Sequence, residues 1–281
     1  MDNRTFKRLL YEVLDHDPTH DDMLRFFHRF RAELDRRGLT LRGVTTDGSP
    51  LYPEPLAGVF PGVAHQVCQF HVLKEINREI LKAITQVRRD LKKKLPKLPR
   101  GRPSSATARN AARRKKKQED RIADLFEHRY VFVQHSLRGR DKKDFSRITR
   151  GFPALRNLRL IMDQVYRLFD RRCRTETALE KLAVLRRQVR RFRTLGQTLK
   201  KLFTPNIEKA LTFLDDSQLP STSNAVERGY RRHRKMQKSI YRVRTQDHLR
   251  QRVAIDMQRD EQASGRIQTL TLLHHERIGA I

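Results

Sequence analysis

The chain has 281 residues, 37% of them hydrophobic, and a formal net charge of +30. That length allows one large domain or two small ones with a filled core, and the charge indicates a polyanionic partner, with nucleic acid as the first candidate. A membrane surface is the weaker candidate because no apolar run approaches the roughly 18 residues of a spanning helix. The two distant cysteines, Cys68 and Cys173, imply no disulfide framework.

The first part of the chain predicts a strand, a turn and a helix. Residues from Phe6 to Leu14 are rich in apolar and aromatic side chains and read as a strand. The Asp15 to His20 stretch has the polar and proline composition of a turn before a helix. An amphipathic helix follows from Asp21 to Arg37, and Gly38 is placed at its C-cap. Its apolar residues recur at helical spacing: Met23, Phe26, Phe27, Phe30 and Leu34.

A short β-rich run then ends in Asp47-Gly48. A strand that delivers a carboxylate at its carboxyl end, followed by a glycine that lets the chain turn, can place a metal ligand at the rim of a sheet. The alternative is an ordinary turn aspartate. Several prolines then punctuate a short helix and loop, and Ala64 to Phe70 reads as another strand. This alternation of strand and helix predicts a mixed α/β sheet.

Cys68 and His71 stand three residues apart and raise the question of a metal. A structural zinc site needs about four ligands, and no matching second pair is visible, so the sequence disfavours zinc.

From Val72 to about Pro220 the sequence predicts helices separated by loops. One apolar series runs through Ile76, Ile80, Ile84, Val87 and Leu91. Two more series mark long helices that could pack as a hairpin: Leu155, Leu158, Ile161, Met162, Val165, Leu168 and Phe169, then Leu179, Leu182, Leu185, Val189, Phe192 and Leu199.

A basic loop is predicted at about residues 95–117. It contains Pro99-Arg100-Gly101-Arg102-Pro103, which resembles the core of an AT-hook, where two arginines lie in the minor groove. The alternative is a mobile basic loop that contacts phosphates without sequence preference. The cations of its second half are Arg113, Arg114, Lys115, Lys116 and Lys117.

The most informative stretch begins at Ser221 and opens into a basic helix that carries Glu227 near its start. Ser221 to Asn224 offer capping oxygens, and Asn224 stands three residues before Glu227, so Glu227 could be only a capping carboxylate. The surrounding cations favour a second reading, in which the acid holds a metal and the bases hold phosphates. They are Arg228, Arg231, Arg232, Arg234, Lys235 and Lys238. A further helix is predicted from Gln246 to about Gln262, with Leu249, Val253, Ile255 and Met257 as its apolar residues.

Three motifs in this order resemble the bacterial insertion-sequence transposases of the DDE type, including their Mutator-like branch. They are Thr45-Thr46-Asp47-Gly48, the stretch from His65 through Cys68 to His71, and Thr222 through Glu227. The resemblance implies a ribonuclease-H-like core in which Asp47 is the second catalytic carboxylate and Glu227 the third, with Cys68 and His71 bordering the active site. The first carboxylate is expected on the opening strand. Asp2 has the best spacing to Asp47, and Asp15 and Asp17 are rivals.

The sequence separation of 180 positions from Asp47 to Glu227 is too long for a bare core of this class, so we expect a helical insertion. The predicted fold is α/β, a ribonuclease-H-like mixed sheet core interrupted by a large all-α insertion. Residues 1–74 would form the first part of the core, residues 75–220 the insertion, and residues 221–281 the last part of the core with a C-terminal helix and tail.

The resemblance also implies the chemistry, which is hydrolysis of DNA phosphodiesters and strand transfer. Two Mg²⁺ or Mn²⁺ ions would be held by Asp2, Asp47 and Glu227. Double-stranded DNA, both element ends and target, would be the partner of a cytoplasmic, nucleoid-associated homodimer or higher oligomer. The expected DNA-binding residues are Arg100, Arg102, Arg113, Arg114, Lys115, Lys116, Lys117, Arg228, Arg231, Arg232 and Lys235.

Two alternatives remain open, a catalytically inactive DNA-binding descendant of such an enzyme and a basic architectural or RNA-binding protein. No strand precedes Asp2, and the N-terminal DNA-binding domain usual in such transposases is missing. We therefore expect an N-terminally truncated chain that binds DNA in a strongly salt-dependent way and transposes poorly.

The two readings of the basic loop predict different losses on mutation. If the loop is an AT-hook, replacing Arg100 and Arg102 by Ala weakens binding most for A·T-rich duplexes, because their narrow minor groove attracts guanidinium groups. Fluorescence anisotropy with A·T-rich and G·C-rich duplexes measures the difference. An equal loss on both duplexes would leave only the nonspecific basic loop.

Overall fold

The computed structural model describes residues 1–191, 199–228, 230–231, 245–262 and 268. The chain divides into two compact units. Unit 1 comprises Met1–Cys68 with Asp216–Ile281, and unit 2 comprises Gln69–Asp215. Within the described residues, strands occur only in unit 1, and the rest of the regular structure is helical.

A two-stranded parallel sheet lies in unit 1. Strand β1 (Gly43–Thr46) pairs with β2 (Ala64–Val67), with Gly43 opposite Ala64 and Thr46 opposite Val67. Helix α2 (Pro53–Val59) connects them and begins with a proline, which suits the first helical turn. The described sheet has two parallel strands instead of the predicted mixed sheet. Strand β2 is also shorter than predicted, since it ends at Val67 and residues from Gln69 onward are helical.

The predicted strand from Phe6 to Leu14 was wrong, since these residues form no strand. Phe6 has a φ of 62°, in the left-handed region that interrupts an extended backbone. Its N–H donates to the Asp2 carbonyl oxygen at 2.9 Å, which makes the start of the chain a turn.

Helix α1 (His20–Arg36) confirms the amphipathic helix of the sequence analysis. Thr19 and Asp22 cap its start reciprocally, because each side chain accepts a hydrogen bond from the other residue's backbone N–H, at 3.2 and 2.9 Å. Gly38 follows its end with a φ of 63°, as a C-terminal glycine should. The helix packs against α2 around a core of Phe27, Leu34, Leu56, Val59 and Phe60.

The numbered helices of unit 2 are α3 (Gln69–Lys93), α4 (Ala106–Glu127), α5 (Gly139–Thr149), α6 (Pro153–Leu168), α7 (Thr175–Arg191) and α8 (Pro205–Lys209), with short 3-10 turns at Arg129–Phe132, Lys200–Phe203 and Thr212–Leu214. Helix α3 packs against α4, α6 and α8, and α6 packs against α7. The predicted apolar series on α3 and α6 are confirmed, since Ile76, Ile80, Leu155, Leu158 and Met162 are all buried.

Two expectations in unit 2 need correction. Helix α7 is described as far as Arg191, Leu199 is buried but not helical, and Phe192 lies outside the described residues. The basic loop is also shorter than predicted, because α4 begins at Ala106 and carries the whole cluster from Arg113 to Lys117. Ser105 caps this helix by accepting a hydrogen bond from the Ala108 N–H at 3.0 Å. The Ala, Arg and Lys residues that follow are strong helix formers.

The last described helix, α9 (Gln246–Gln262) of unit 1, has the predicted bounds, but its fully buried residues are acids rather than its apolar side chains. Asp256 and Asp260 are buried, whereas Ile255 is 44% exposed. The buried Arg8 guanidinium explains this, because it lies 3.4 Å from Asp256 and 3.3 Å from Asp260. A buried carboxylate is tolerated only where such a partner compensates its lost hydration.

The amino-terminal segment lies antiparallel along α9. Arg8 contacts Asp256 and Asp260, the Tyr11 hydroxyl donates to the Arg250 carbonyl oxygen at 3.0 Å, and the Gln246 side-chain amide donates to the Val13 carbonyl oxygen at 2.8 Å. As the residue number rises along the segment, the number of the α9 residue that it contacts falls, which is the antiparallel order.

Gly43 provides a stability test of the sheet. A Cβ at this position would lie 2.7 Å from Leu219 Cδ1 and 3.3 Å from the Ala64 carbonyl oxygen, and Leu219 is itself buried. Gly43→Ala should therefore lower the free energy of unfolding by about 1–3 kcal/mol. Urea unfolding followed by circular dichroism measures the change.

The matched control is Gly58→Ala in α2, where an added Cβ has no heavy atom within 4 Å. It should be neutral or stabilise by up to about 1 kcal/mol through helix propensity. Equal effects of the two substitutions would contradict the close approach at Gly43.

Candidate functional site

The carboxyl ends of β1 and β2 meet at one edge of the parallel sheet. Asp47 follows Thr46 directly and Cys68 follows Val67, so the two motif residues are neighbours in register. The Cys68 N–H donates to the Thr46 carbonyl oxygen at 2.7 Å and extends the pairing by one residue. Ligands of open α/β sheets bind outside this carboxyl edge.

Asp47 is exposed and held by the turn that follows it. Its Oδ1 accepts a hydrogen bond from the Ser49 N–H at 3.0 Å, and Gly48 has a φ of 90°. This turn is available to Gly48 because glycine has no Cβ. The turn geometry and the ligand role are compatible, because one hydrogen bond leaves most of the carboxylate lone pairs available.

The segment before Glu227 docks on the same edge of the sheet. The Thr45 hydroxyl donates to the Pro220 carbonyl oxygen at 3.1 Å. The Ser223 N–H points to Cys68 Sγ at 3.3 Å, and Cys68 is fully buried. These contacts join residues far apart in sequence and fix where the following helical segment begins.

Glu227 is brought to the sheet by that segment. Residues 224–228 are helical, and the Glu227 N–H donates to the Ser223 carbonyl oxygen at 3.1 Å. A carboxylate oxygen of Glu227 lies within 4.8 Å of Cys68 Sγ. Asp47 follows the strand next to β2, and neighbouring strands are about 4.8 Å apart. The ends of all three motif segments in unit 1 therefore meet at one place.

The predicted cap of this segment needs correction. Ser223, which is buried, is the N-cap, and the exposed Asn224 is already helical. Glu227 is therefore one position too far along the helix for the capping-box role of an N3 carboxylate. This argues against the capping-box role for Glu227.

That Asp47 and Glu227 hold the same metal ions stays a prediction. Among the described residues, the groups of three possible metal ligands that lie close together do not include Asp47. Such a group in unit 2 consists of Asp124, Glu127 and His128. There Arg147 already forms an ion pair with Asp124, so this carboxylate has a protein partner.

Asp2 is held by its own turn. Its carboxylate accepts hydrogen bonds from the Arg4 N–H at 2.9 Å, the Thr5 N–H at 3.3 Å and the Thr5 hydroxyl. Partial burial raises the pKa of Asp2, but the hydrogen bonds from Thr5 and Arg4 outweigh it, so the net pKa is lowered. Asp2 is therefore a carboxylate in an ordinary turn in this structure.

The rivals Asp15 and Asp17 are both exposed. Asp15 Oδ1 lies 2.7 Å from His16 Nδ1, and this hydrogen bond is the main cause of the lowered pKa of Asp15. The other nitrogen of His16 contacts Asp22 at 3.0 Å.

The remaining predicted site residues lie in several elements. His71 lies in the first turn of α3 in unit 2, with its ring edge-on to Phe70 at 5.7 Å. Arg100 and Arg102 are exposed in the loop before α4. Of the α4 cluster, Arg113, Arg114, Lys116 and Lys117 are exposed and Lys115 is half-buried. Arg228 and Arg231 are exposed and helical, whereas Arg232 and Lys235 lie outside the described residues.

Comparison with protein families decides the class of the chain. The family model DDE_Tnp_ISL3, described as Transposase, matches residues 10–253. The chain belongs to this transposase family. No curated protein and no solved structure matches it.

The match confirms an insertion-sequence transposase and corrects its branch, because ISL3 is a different family from the Mutator-like one. Asp47, Cys68 and Glu227 lie inside the matched range of the transposase, as do Asp15 and Asp17, and Asp2 lies outside it. None of the helices in the described ranges combines the length and apolar character needed to cross a bilayer.

Tyr52 reports on the charge of Asp47. Burial, and secondarily the Asp47 carboxylate, raise the pKa of Tyr52 above its ordinary 10.0. The folded transposase therefore favours the neutral phenol and should lose this part of its stability as pH rises above about 10. Asp47→Asn should lower the pKa of Tyr52, but only part of the way, because burial is the larger cause.

A pH titration of ¹³C-tyrosine-labelled protein by NMR measures this pKa, with Tyr52→Phe to assign the signal. Asp35→Asn, which removes an exposed carboxylate from α1, is the matched control and should leave the titration unchanged. A Tyr52 pKa that ignores Asp47→Asn would contradict the proximity of the two groups.

Proposed function

We propose that this transposase cleaves and joins DNA phosphodiesters at the carboxyl edge of the β1–β2 sheet, with Asp47 and Glu227 as catalytic carboxylates. The observation that carries the proposal is the meeting of three motif segments at that edge. The Asp47 turn, Cys68 and the Ser223 cap of the Glu227 segment are tied together by the contacts of Cys68 with Thr46 and Ser223.

The chemistry of the available ligand atoms suits a hard divalent ion such as Mg²⁺ or Mn²⁺. Asp47 and Glu227 offer carboxylate oxygens, which Mg²⁺ prefers, and few protein ligands leave positions for water and substrate phosphates. Cys68 Sγ is buried and faces the Ser223 N–H, which suits a structural thiol better than a ligand. When bound, two ions would lower the pKa of the attacking water or 3′-hydroxyl and stabilise the leaving oxygen.

The protein's part in this reaction is to fix its carboxylates before DNA arrives. The Ser49 N–H orients Asp47, and the first helical hydrogen bond of the segment orients Glu227. The Thr45 contact with Pro220 ties that segment to β1. Such a supporting shell is needed because catalytic groups must be held to within about 0.5 Å.

The first carboxylate of the proposed set is Asp2, with Asp15 and Asp17 as alternatives. Asp2 would have to exchange its hydrogen bonds with Arg4 and Thr5 for a metal ion. The exposed Asp15 and Asp17 lie inside the range of the family match.

A ribonuclease-H-like core belongs to the same proposal. The parallel β1–α2–β2 arrangement, with an acid directly after β1 and a second acid on a later helix, supports it. The all-helical insertion is also part of the proposal, as are a homodimer or higher oligomer on DNA and a cytoplasmic, nucleoid-associated location. Exposed cations near Glu227, namely Arg228 and Arg231, would hold the backbone of double-stranded DNA.

Metal binding and cleavage test the proposal together. Asp47→Asn and Glu227→Gln should each weaken Mn²⁺ binding, measured by electron paramagnetic resonance, because each removes a charged ligand. Cleavage of DNA that carries the element's ends should fall by about 10²-fold or more in both variants. The same assays on Asp2→Asn, Asp15→Asn and Asp17→Asn identify the first carboxylate as the one whose replacement lowers Mn²⁺ binding and cleavage as much as Asp47→Asn does.

Asp35→Asn and Glu176→Gln are the matched controls, since both remove exposed helical carboxylates. They should leave Mn²⁺ affinity and cleavage unchanged. A parent chain that binds DNA but neither binds Mn²⁺ nor cleaves the DNA would instead be an inactive DNA-binding descendant.

A further inference from the structure

A groove of about 970 Å³ crosses the surface of unit 2. One wall is a stripe of α3 residues, the other is formed by Arg129 and Tyr130, and Val133 and Tyr166 also line it. We call it the α3 groove. Apart from Phe70, which stands in the His65–His71 stretch, its residues lie outside the motifs at the sheet edge. Its volume lies at the upper end of the roughly 300–1,000 Å³ of ligand pockets.

The α3 groove is strongly cationic. Its lining includes Lys74, Arg78, Lys82, Arg89 and Arg129 and no carboxylate. In the described part of the chain, the four cations on α3 lie in no ion pair with a carboxylate. A concave surface with cations only attracts a polyanion and concentrates it.

Two acids of α3 face another element. Glu79 accepts a hydrogen bond from the Lys201 N–H at 2.9 Å, and Glu75 forms an ion pair with the Lys201 ammonium at 2.9 Å. Packing against the 3-10 turn at Lys200–Phe203 thus takes up these carboxylates. From Phe70 to Lys82 the helix therefore has an acidic side packed on this turn and a basic side in the groove. Its third acid, Asp90, accepts a hydrogen bond from Gln86 at 3.0 Å.

The spacing of the groove residues on α3 gives a continuous track. Phe70, Lys74, Arg78 and Lys82 follow at intervals of four residues, and Arg89 extends the stripe. Each interval of four residues advances about 6 Å, and the stripe from Phe70 to Arg89 is about 28 Å long. A track of this kind suits a chain of phosphates better than a single small anion.

Exposed aromatic rings lie on both walls of the groove. Phe70 is 50% exposed and Tyr130 is 54% exposed. Arg129 holds Tyr130 in place, because its guanidinium lies 4.5 Å from the centre of the Tyr130 ring and donates to the Tyr130 hydroxyl at 3.1 Å. Rings this exposed do not serve the core, and they offer flat faces to a planar partner.

We propose that the α3 groove binds single-stranded DNA, with its bases on Tyr130 and Phe70 and its phosphates on the cations of α3. Cations along a groove combined with exposed aromatic rings are the two parts of sites for single strands. A duplex keeps its bases stacked inside and would use only the cations. The inference rests on the proposed function only in taking DNA as the polyanion, and its test needs neither divalent metal nor cleavage.

The chain contains no tryptophan, so Tyr130→Trp introduces a single fluorescent reporter into the groove. In EDTA at about 50 mM salt, an oligothymidylate of about 16 nucleotides should quench this tryptophan, because a base stacks on the indole. A duplex of the same length should quench it far less. Val184→Trp, at a 43% exposed position of α7 outside the groove, is the control and should show no quenching by either DNA.

Two alanine variants separate stacking from charge in an anisotropy assay of the same DNAs. Tyr130→Ala should weaken single-strand binding by about five-fold or more and duplex binding much less. Arg78→Ala should weaken both and reduce the salt dependence, whereas Arg187→Ala, an exposed arginine of α7, should change neither. Circular dichroism confirms that each variant is folded.

The proposal is overturned if the single strand does not quench the indole of the Tyr130→Trp variant. It is also overturned if Tyr130→Ala weakens single-strand and duplex binding equally, since the groove would then be a backbone site for duplex DNA. Loss of Mn²⁺ binding or cleavage in the carboxylate variants has no bearing on either readout, so the two proposals fail separately.

Discussion

The parallel pairing of β1 with β2 is the constraint on which the candidate site depends. It places the Asp47 turn beside Cys68, and the extra hydrogen bond from the Cys68 N–H to Thr46 extends the pairing to that residue. The Cys68 thiol then faces the backbone N–H that precedes the Glu227 segment. A buried sulfur is a weak acceptor but fits a dry position beside a strand end. The contacts that stabilise this small sheet therefore also fix the geometry of the site.

Close packing at the amino-terminal end of the β1–β2 pair also fixes the position of the segment that leads to Glu227. Gly43 lies opposite Ala64 with Leu219 against it, a few residues before the Thr45 contact with Pro220. Because only glycine leaves room for Leu219, the returning chain can approach the start of β1 as well as its end. The segment from Leu219 to Ser223 is thus fixed along the strand pair before its helix begins.

Local signals in the sequence were sufficient for most helices. The apolar series of α3 and α6 and the glycine after α1 depend on neighbours in the chain, and the structure bears them out. The strand prediction at Phe6 failed because apolar content does not reveal a residue held at positive φ. The start of α4 was missed because a cluster of cations resembles a loop, although its Ala, Arg and Lys residues favour a helix. At the site, motif order predicted that these segments belong together, and their functional role stays a prediction. The contact of the Ser223 N–H with the Cys68 thiol could not be read from spacing.

Helix α9 shows why features that depend on contacts between distant residues could not be predicted from the sequence. The apolar residues named for this helix include Ile255, yet the buried residues are Asp256 and Asp260. Burial of an acid is unfavourable by itself, so no local rule selects it. It becomes favourable only when Arg8, near the other end of the chain, supplies the opposite charge. The α3 groove also depends on contacts between residues far apart in sequence. Its cations stay available because Glu75 and Glu79 are engaged by Lys201, more than a hundred residues away in sequence. In a chain with 62 Lys and Arg residues and 32 Asp and Glu residues, the positions of the acids decide which cations remain available for DNA.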